Sequence, residues 1–312
     1  MLKLKLVTII ILNNKFKSYL FRNYQCLSRY PRLFLMRKLA RFNLVRQISR
    51  YFPSNISQQS QITLDSPSLF KELDITKIVT CLKTEGCFLG LQLPEDILQG
   101  LLHFAARNYC YGNRNLNQPL LIDPNCQLER TFPEKCSRAS YLDTHYNYDA
   151  FQRLKNDPIL LEIARQYFHK PAVYLTSELC WSFPNQSSYS QMAQDAQVFH
   201  YDIDDYQSLK FFFYLTDVEL SSGAHVCILK SHKNKRLWHQ LIGQHSASIL
   251  DSDLIKAYGA ENVVEICGKK GFGFVEDTFC FHKATTPTQK SRLLLQLEFT
   301  TNYYQESRAY MR

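Results

Sequence analysis

Between residues 172 and 301 the chain breaks into short segments rich in β-branched and aromatic residues, and this texture constrains the fold more than any other feature. The segments are AVYLTSELCWSF, AQVFHYDI, LKFFFYLTDV, AHVCIL, NVVEI, FGFVEDTFCFH and RLLLQLEFTT, many of them bounded by Gly, Asp, Ser or Asn. Such residues end strands and form turns. Ahead of them lie three helix patterns with start signals. Ser66-Pro67 precedes SLFKELDITKIVTCLKTEG, Pro94 opens PEDILQGLLHFAARN with Glu95 and Asp96 in its first turn, and Asp157-Pro158 opens DPILLEIARQYFHK. Helices followed by seven or more short strands predict a mainly β architecture, a β-sandwich or jelly roll flanked by helices.

Charge divides the chain differently. Residues 1–50 hold twelve Lys and Arg and no Asp or Glu, which leaves 25 basic against 28 acidic residues in the rest, so the +9 net charge belongs to the N-terminus. We expect a basic, partly amphipathic arm over 1–55, a polar linker around 53–64, and one helix-flanked domain over 56–312. The apolar run Leu6 to Leu12 is far shorter than the ~20 residues that span a bilayer, and no small-residue cleavage site follows it. In LFLMRKLARFNLVRQISRYF, Leu35, Leu39, Phe42, Val45, Ile48 and Phe52 recur at helical spacing, with Arg and Lys opposite. That face suits peripheral contact with an acidic membrane surface, or packing on the body. A third option takes Met36 as the first residue. No nucleic-acid-binding motif accompanies the charge. Ten scattered cysteines without a CxxC pair argue against a zinc ribbon and for buried, reduced thiols, hence a cytoplasmic protein, membrane-associated if the arm binds lipid.

FHYDIDD, residues 199–205, raises the question of chemistry. On a strand, His200 and Asp202 share one face while Phe199 and Tyr201 take the other. The pair alone is either half of a metal site or a surface pair. His282, in DTFCFHKATTPTQKSR with Asp277 and Thr278 as the preceding turn, is the natural third member, because distant strands of a jelly roll meet across the barrel. Two histidines and a carboxylate make the donor set of non-haem iron oxygenases, with three positions left open. A 2-oxoglutarate co-substrate needs a cationic, bidentate partner for its distal carboxylate. Arg292, ten residues after His282, supplies one if a turn between neighbouring strands returns it alongside. Tyr214 or Thr216, facing the same way as Lys210, could add a hydroxyl or ammonium contact.

The stretches FHYDIDDYQSLKFFFYLTDVELSSGAHVCILKSHK and GFGFVEDTFCFHKATTPTQKSRLLLQLEF resemble the phytanoyl-CoA dioxygenase family of Fe(II)- and 2-oxoglutarate-dependent oxygenases. They share its His-x-Asp strand, Leu-Thr-Asp strand end, Gly turn, Ser-His-Lys, and late His followed by Arg. The likeness covers roughly 65–300 and excludes the arm. It implies a double-stranded β-helix (jelly roll, cupin-like), Fe(II) held by His200, Asp202 and His282, and 2-oxoglutarate paired with Arg292. It also implies a hydroxylase acting with O2 on a small organic or acyl-linked substrate, giving succinate and CO2. Leu229-Lys230 and Glu276-Asp277 depart from the family's Pro-Gly and Gly-Asp, away from any expected ligand. Asp202 argues for hydroxylation, since halogenating relatives have a small residue there.

Two other functions fit parts of the pattern: a catalytically silent jelly-roll binding protein, and a cupin-type metalloenzyme that does not use 2-oxoglutarate. Arg292 discriminates against both. Simpler structural readings apply elsewhere. His225 and His232 read as turn or structural histidines, His239 and His245 as lying on a solvated helix or loop, and Asp204 and Asp205 as a solvated strand end. Trp181 is equally suited to the core or the pocket, and Cys280 to plain packing.

Overall fold

Alternation along β-strands sorts this chain into a helix-covered core and a cavity wall. The computed structural model describes residues 17, 21, 23–54, 67–70, 72–124, 136–142, 144–185, 189–243 and 249–304. The opening apolar run, most of the linker, Ser66 and His245 lie outside the described residues.

Among the described residues, eleven strands pair antiparallel in two sheets. They are β1 (Cys87–Gln92), β2 (Cys110–Gly112), β3 (Pro119–Leu120), β4 (Arg138–Ser140), β5 (Val173–Ser182), β6 (Ser208–Tyr214), β7 (His225–Ile228), β8 (Val263–Ile266), β9 (Phe272–Glu276), β10 (Phe281–Ala284) and β11 (Arg292–Thr300). The large sheet runs β1-β9-β6-β11-β5-β4-β2-β3 and the small one β10-β7-β8. This is a jelly roll with flanking helices, the double-stranded β-helix expected.

The central strands show the period of two directly. On β11, Leu293, Leu295, Leu297 and Phe299 are buried in the helix-facing core, whereas Arg292, Leu294, Gln296 and Glu298 line the cavity. On β6, Leu209, Phe211 and Phe213 face the helices, and Lys210 and Phe212 face the cavity. The triplet Phe211-Phe212-Phe213 is buried on both faces, as its composition predicts. Each such side chain contributes roughly 1.5–3 kcal/mol by leaving water.

Helix Pro158–Phe168 starts where its sequence says. The Asp157 carboxylate accepts from Ile159 N at 2.9 Å and Leu160 N at 3.2 Å, and Pro158 occupies the first turn. Glu95–Arg107 is equally regular. The earlier helix begins at Ile75 instead of after Ser66, with Asp74 accepting from Lys77 N, and ends at Gly86 in the left-handed region. Residues 68–70 are drawn away to Asp157, which accepts from Ser68 Oγ and Leu69 N.

The arm contributes helices Pro31–Leu39 and Asn43–Ser49. Leu33, Met36 and Ala40 pack with Phe199, Tyr201, Ile203, Phe279 and Phe281. The buried face is therefore not the one the periodicity selects: Leu35, Leu39, Ile48 and Phe52 are 41–62% exposed. The chain breaks helix at residues 40–42, which resets the phase, so one stripe cannot run through both helices. No helix among the described residues is long and apolar enough to cross a membrane.

Two further expectations are corrected. FGFVEDTFCFH is two strands in different sheets, split by a turn in which Cys280 N donates to Asp277 O and Phe279 N to the Asp277 carboxylate. Consequently β10 and β11 are not hairpin neighbours, and Arg292 reaches the cavity from the sheet opposite His282. AQVFHYDI is not a strand: it opens at Ala196 in the left-handed region and forms only an isolated bridge, His200 with His282.

Candidate active site

That bridge sets the geometry. His200 N donates to His282 O at 3.0 Å, His282 N to His200 O at 2.9 Å, and Asp202 N to Thr278 O at 2.9 Å. Alternation then sends Phe199, Tyr201 and Ile203 into the cluster under the arm, while His200, Asp202 and Asp204 line the cavity. The two imidazoles meet with ring centroids 4.4 Å apart. His200 Nε2 lies 3.8 Å from Asp202 Oδ1, and His282 Nε2 lies 3.6 Å from Asp202 Oδ2. One donor atom from each of the three falls within 4.8 Å of the others.

Each imidazole is also anchored from behind. His200 Nδ1 lies 2.9 Å from Val198 O and His282 Nδ1 3.0 Å from Cys280 O. A carbonyl accepts only a proton, so both Nδ1 atoms carry hydrogen, and both Nε2 atoms face Asp202, where a metal would take the place of the Nε2 proton that His282 shares with that carboxylate. Outer hydrogen bonds of this kind fix the tautomer of a ligating histidine. Two imidazole nitrogens and one carboxylate, on one side of a shared point, fit a divalent transition metal with open positions.

Lys210 sits beside this trio. Its Nζ lies 2.6 Å from Asp202 Oδ2, 3.5 Å from Glu298 and 3.8 Å from Asp204. Burial opposes the charge on Lys210, but Asp202, Glu298 and Asp204 hold its pKa well above the ordinary value. Burial likewise opposes ionisation of Asp202, yet Lys210 and His282 hold it well below the usual carboxylate range. For His200, burial and then His282 lower the pKa to about 4. For His282, burial is outweighed by Glu276 and Asp202, which raise it to about 9.

Arg292 is 2% exposed. It donates to Gly223 O and, at 3.3 Å, to Ser182 Oγ, while its Nε has no acceptor among the described residues. Among the described residues no carboxylate comes within ion-pair reach of it. A buried guanidinium without a counter-charge is costly, and an anion such as a carboxylate would satisfy it. Burial lowers its pKa from the ordinary value.

The structure brings His200, Asp202, His282, Lys210 and Arg292 to one cavity of about 760 Å³. It places Tyr214 on the same face of β6 as Lys210 and Phe212, opposite Leu294 and beside Arg292 but beneath the cavity surface, and it does not bring Thr216 to that wall. The Tyr214 hydroxyl donates to Ile266 O at 2.7 Å and accepts from His225 N, and Thr216 Oγ1 accepts from Leu293 N. Lys210 faces the cavity but is engaged at Asp202 rather than at Arg292.

Sequence reasoning missed two members. His225 lines the cavity, with its ring stacked 5.6 Å from that of His282 and its Nε2 2.7 Å from Glu276 Oε2. Glu276, fully buried, reaches within 3.5 Å of His282 Nδ1, and burial pushes its pKa up to about 7. The departure at Glu276-Asp277 thus does touch an expected ligand; a charged residue ending a buried strand was the available signal. Cys87, Cys227 and Glu276 also cluster within 4.8 Å, yet none of them lines the cavity.

Other simple readings change as well. His239 is buried, its Nδ1 2.7 Å from Tyr258 Oη. Asp205 is fully buried and accepts from Thr301 N and Asn302 N, tying this loop to the end of β11. Trp181 belongs to the core and donates to the Tyr141 hydroxyl.

No family model matches the chain, and no curated protein sequence matches it. Solved structures do. The chain is similar to the non-heme alpha ketoglutarate dependent epimerase SnoN from nogalamycin biosynthesis, at 14% identity and TM-score 0.50, over 72% of this chain and 82% of that one. It is also similar to the carbocyclase SnoK of the same biosynthesis, described in the same terms, at 14% identity and TM-score 0.50, over 80% and 94%. At this identity the likeness establishes a common fold, spanning nearly the whole of SnoK.

Proposed function

We propose that this protein is an Fe(II)- and 2-oxoglutarate-dependent dioxygenase that hydroxylates a small-molecule substrate, with succinate and CO2 as co-products. The observation that carries the reading is the convergence of His200 Nε2, His282 Nε2 and the Asp202 carboxylate, each imidazole locked from behind by a main-chain carbonyl. In this reading those three residues hold Fe(II), and Arg292 receives the distal carboxylate of 2-oxoglutarate. When bound, the iron and the 2-oxo acid supply oxidative decarboxylation coupled to oxidation of a substrate C–H bond.

The chain's own residues bind and orient. Lys210 donates to Asp202, keeping that carboxylate ionised and its rotamer fixed. Glu276 and His225 back His282. Phe212 and Leu294 lie on the wall between the Arg292 and Lys210 rows and exclude water there. The unpaired guanidinium favours this reading over a silent jelly roll or a cupin that uses no 2-oxo acid.

The test is anaerobic addition of 2-oxoglutarate to the Fe(II) protein. A weak visible charge-transfer band, followed under air by slow succinate release without added substrate, is expected. Absence of both removes the proposal.

We further propose that the protein is cytoplasmic and meets an anionic membrane surface through its arm. Leu35, Leu39, Leu44 and Ile48 are exposed there, and helix Leu237–Ile242 adds exposed Leu237, Trp238 and Leu241. Hydrogen bonds join the two: Arg41 to Leu241 O and Asn43 N to the Gln240 side chain. Apolar side chains beside basic ones suit an interface. Pelleting with phosphatidylserine vesicles, weakened in Leu44→Glu/Trp238→Glu, is expected; equal pelleting of both proteins counts against it.

A further inference from the structure

Helix Asn43–Ser49 has two faces with different surroundings. Helical spacing puts Leu44 and Ile48 on one of them, four residues apart, and both are exposed. Arg46 points the other way and is buried. A basic residue that leaves water needs a partner. Arg46 has two. Its guanidinium lies 4.0 Å from the centre of the Phe279 ring, and its Nη2 lies 3.0 Å from both oxygens of Asp277. Among the described residues no other cation comes within ion-pair reach of Asp277.

Asp277 heads the turn of residues 277–280. Its carboxylate accepts from Phe279 N at 2.9 Å and from the Tyr167 hydroxyl at 2.6 Å, and its carbonyl accepts from Cys280 N at 2.8 Å. The turn presents two carbonyls to the candidate centre. Thr278 O accepts from Asp202 N at 2.9 Å, and Cys280 O lies 3.0 Å from His282 Nδ1. His200 takes its ring anchor elsewhere, from Val198 O. The main chain aims these side chains, so whatever holds that main chain decides their aim. Contacts run unbroken from Arg46 to Asp277, through the turn, to Asp202 and His282.

We propose that Arg46 is a positioning residue for the metal donors: from the arm it clasps Asp277, and through the 277–280 turn it fixes Asp202 and His282. The inference rests on the proposed oxygenase function only in taking those two residues as donors. Removing the guanidinium leaves the Asp277 charge buried with hydroxyl and amide partners alone. An uncompensated buried carboxylate turns toward water, and the turn bearing Thr278 O and Cys280 O moves with it. No donor is lost, yet two of the three lose their aim. The arm is then part of the centre, with one helix face outward and the other holding the turn.

The test uses the full chain and Co(II), whose visible absorption bands report donor geometry. Arg46→Met keeps the aliphatic stem against Phe279 and removes the charge. Asp277→Asn breaks the same pair from the other side and serves if the first variant does not fold. Leu101→Ala, in helix Glu95–Arg107 and buried in the helix-covered core, is the control for lost stability. We expect each pair variant to bind Co(II) roughly tenfold or more weakly, as loss of an outer partner does, with shifted bands, and Leu101→Ala to match the wild type. In the metal-free protein, hydrogen exchange at Asp202 N, read by NMR, should accelerate in the pair variants while the amides of Arg292–Thr300 stay protected. Unchanged affinity and bands in the pair variants that fold overturn the inference, as does an equal fall in Leu101→Ala. Wild-type protein that binds no Co(II) overturns the donor reading. Accelerated exchange at Asp202 then leaves the clasp on the turn standing, and unchanged exchange removes it as well.

Discussion

The two walls of the cavity are built by different means. On the small-sheet side, His200 and His282 are aimed by the main chain: reciprocal backbone bonds fix their Cα positions, and carbonyls of Val198 and Cys280 fix their rings. On the large-sheet side, Lys210, Glu178 and Glu298 project from regular strands and are held by ion pairs, Lys210 with Glu298 and Asp202, and Glu178 with Arg138. Main-chain anchoring gives a rigid donor set that persists through substitution of neighbouring side chains. Charge pairing gives a wall whose members depend on one another and on pH. Under the proposed oxygenase function, the difference suits a centre that would place a metal closely and a surface that would receive the substrate.

That contrast can be broken at several points. The largest effect is expected from His282→Ala, which removes one of three donors. Metal affinity, read by equilibrium dialysis with Fe(II) under argon, should fall by more than the roughly 10–100-fold that losing an outer partner costs, and 2-oxoglutarate turnover should drop to background. Retained stoichiometric iron would exclude His282 as a ligand.

Next is Arg46→Ala. Arg46 Nη2 donates to both oxygens of buried Asp277, 3.0 Å each, on the turn that leads to His282. Removing one partner of a buried pair costs about 3–5 kcal/mol, so the urea midpoint should fall sharply. An unchanged midpoint would show that the arm does not support the small-sheet wall. Arg292→Ala tests the opposite side. It should weaken 2-oxoglutarate about 30–100-fold, corresponding to about 2–3 kcal/mol for a charged hydrogen bond, with iron binding intact.

The smallest effect concerns acid. Burial opposes the charge on Glu178, but Arg138 and Arg114 outweigh it and lower its pKa to about 2. A depressed carboxyl stabilises the fold above its unfolded value and loses that contribution as pH falls. Between about pH 4.5 and pH 3 the loss should be on the order of 2 kcal/mol. Glu178→Gln should flatten the stability profile in that window; parallel profiles would place the acid sensitivity elsewhere.

How much of this was legible beforehand follows from the same contrast. Strands β5, β6 and β11 were readable because both faces are buried and the chain alternates. The helix at Pro158 was readable from Asp157. The pairing of His200 and Asp202 on one face was readable too, although the segment makes only a bridge. The placement of Arg292 was not, because a turn of four residues, 277–280, sends β10 to the other sheet, and hydrophobicity does not mark that corner. Glu276 and His225 escaped because a buried charged pair looks, in sequence, like any polar residue at a strand end. The arm's packing face escaped because the break at 40–42 contains no Gly or Pro.

The packing of the arm sets a lower limit on the smallest autonomous version of this fold. The aromatic side chains Phe199, Tyr201, Phe279 and Phe281 form the back of the ligand-bearing segments and are roofed by Leu33, Met36 and Ala40. A barrel trimmed to begin at the polar tether after residue 54 would present that greasy underside to solvent. It would be prone to self-association, and its two imidazoles would rest on an unsupported floor.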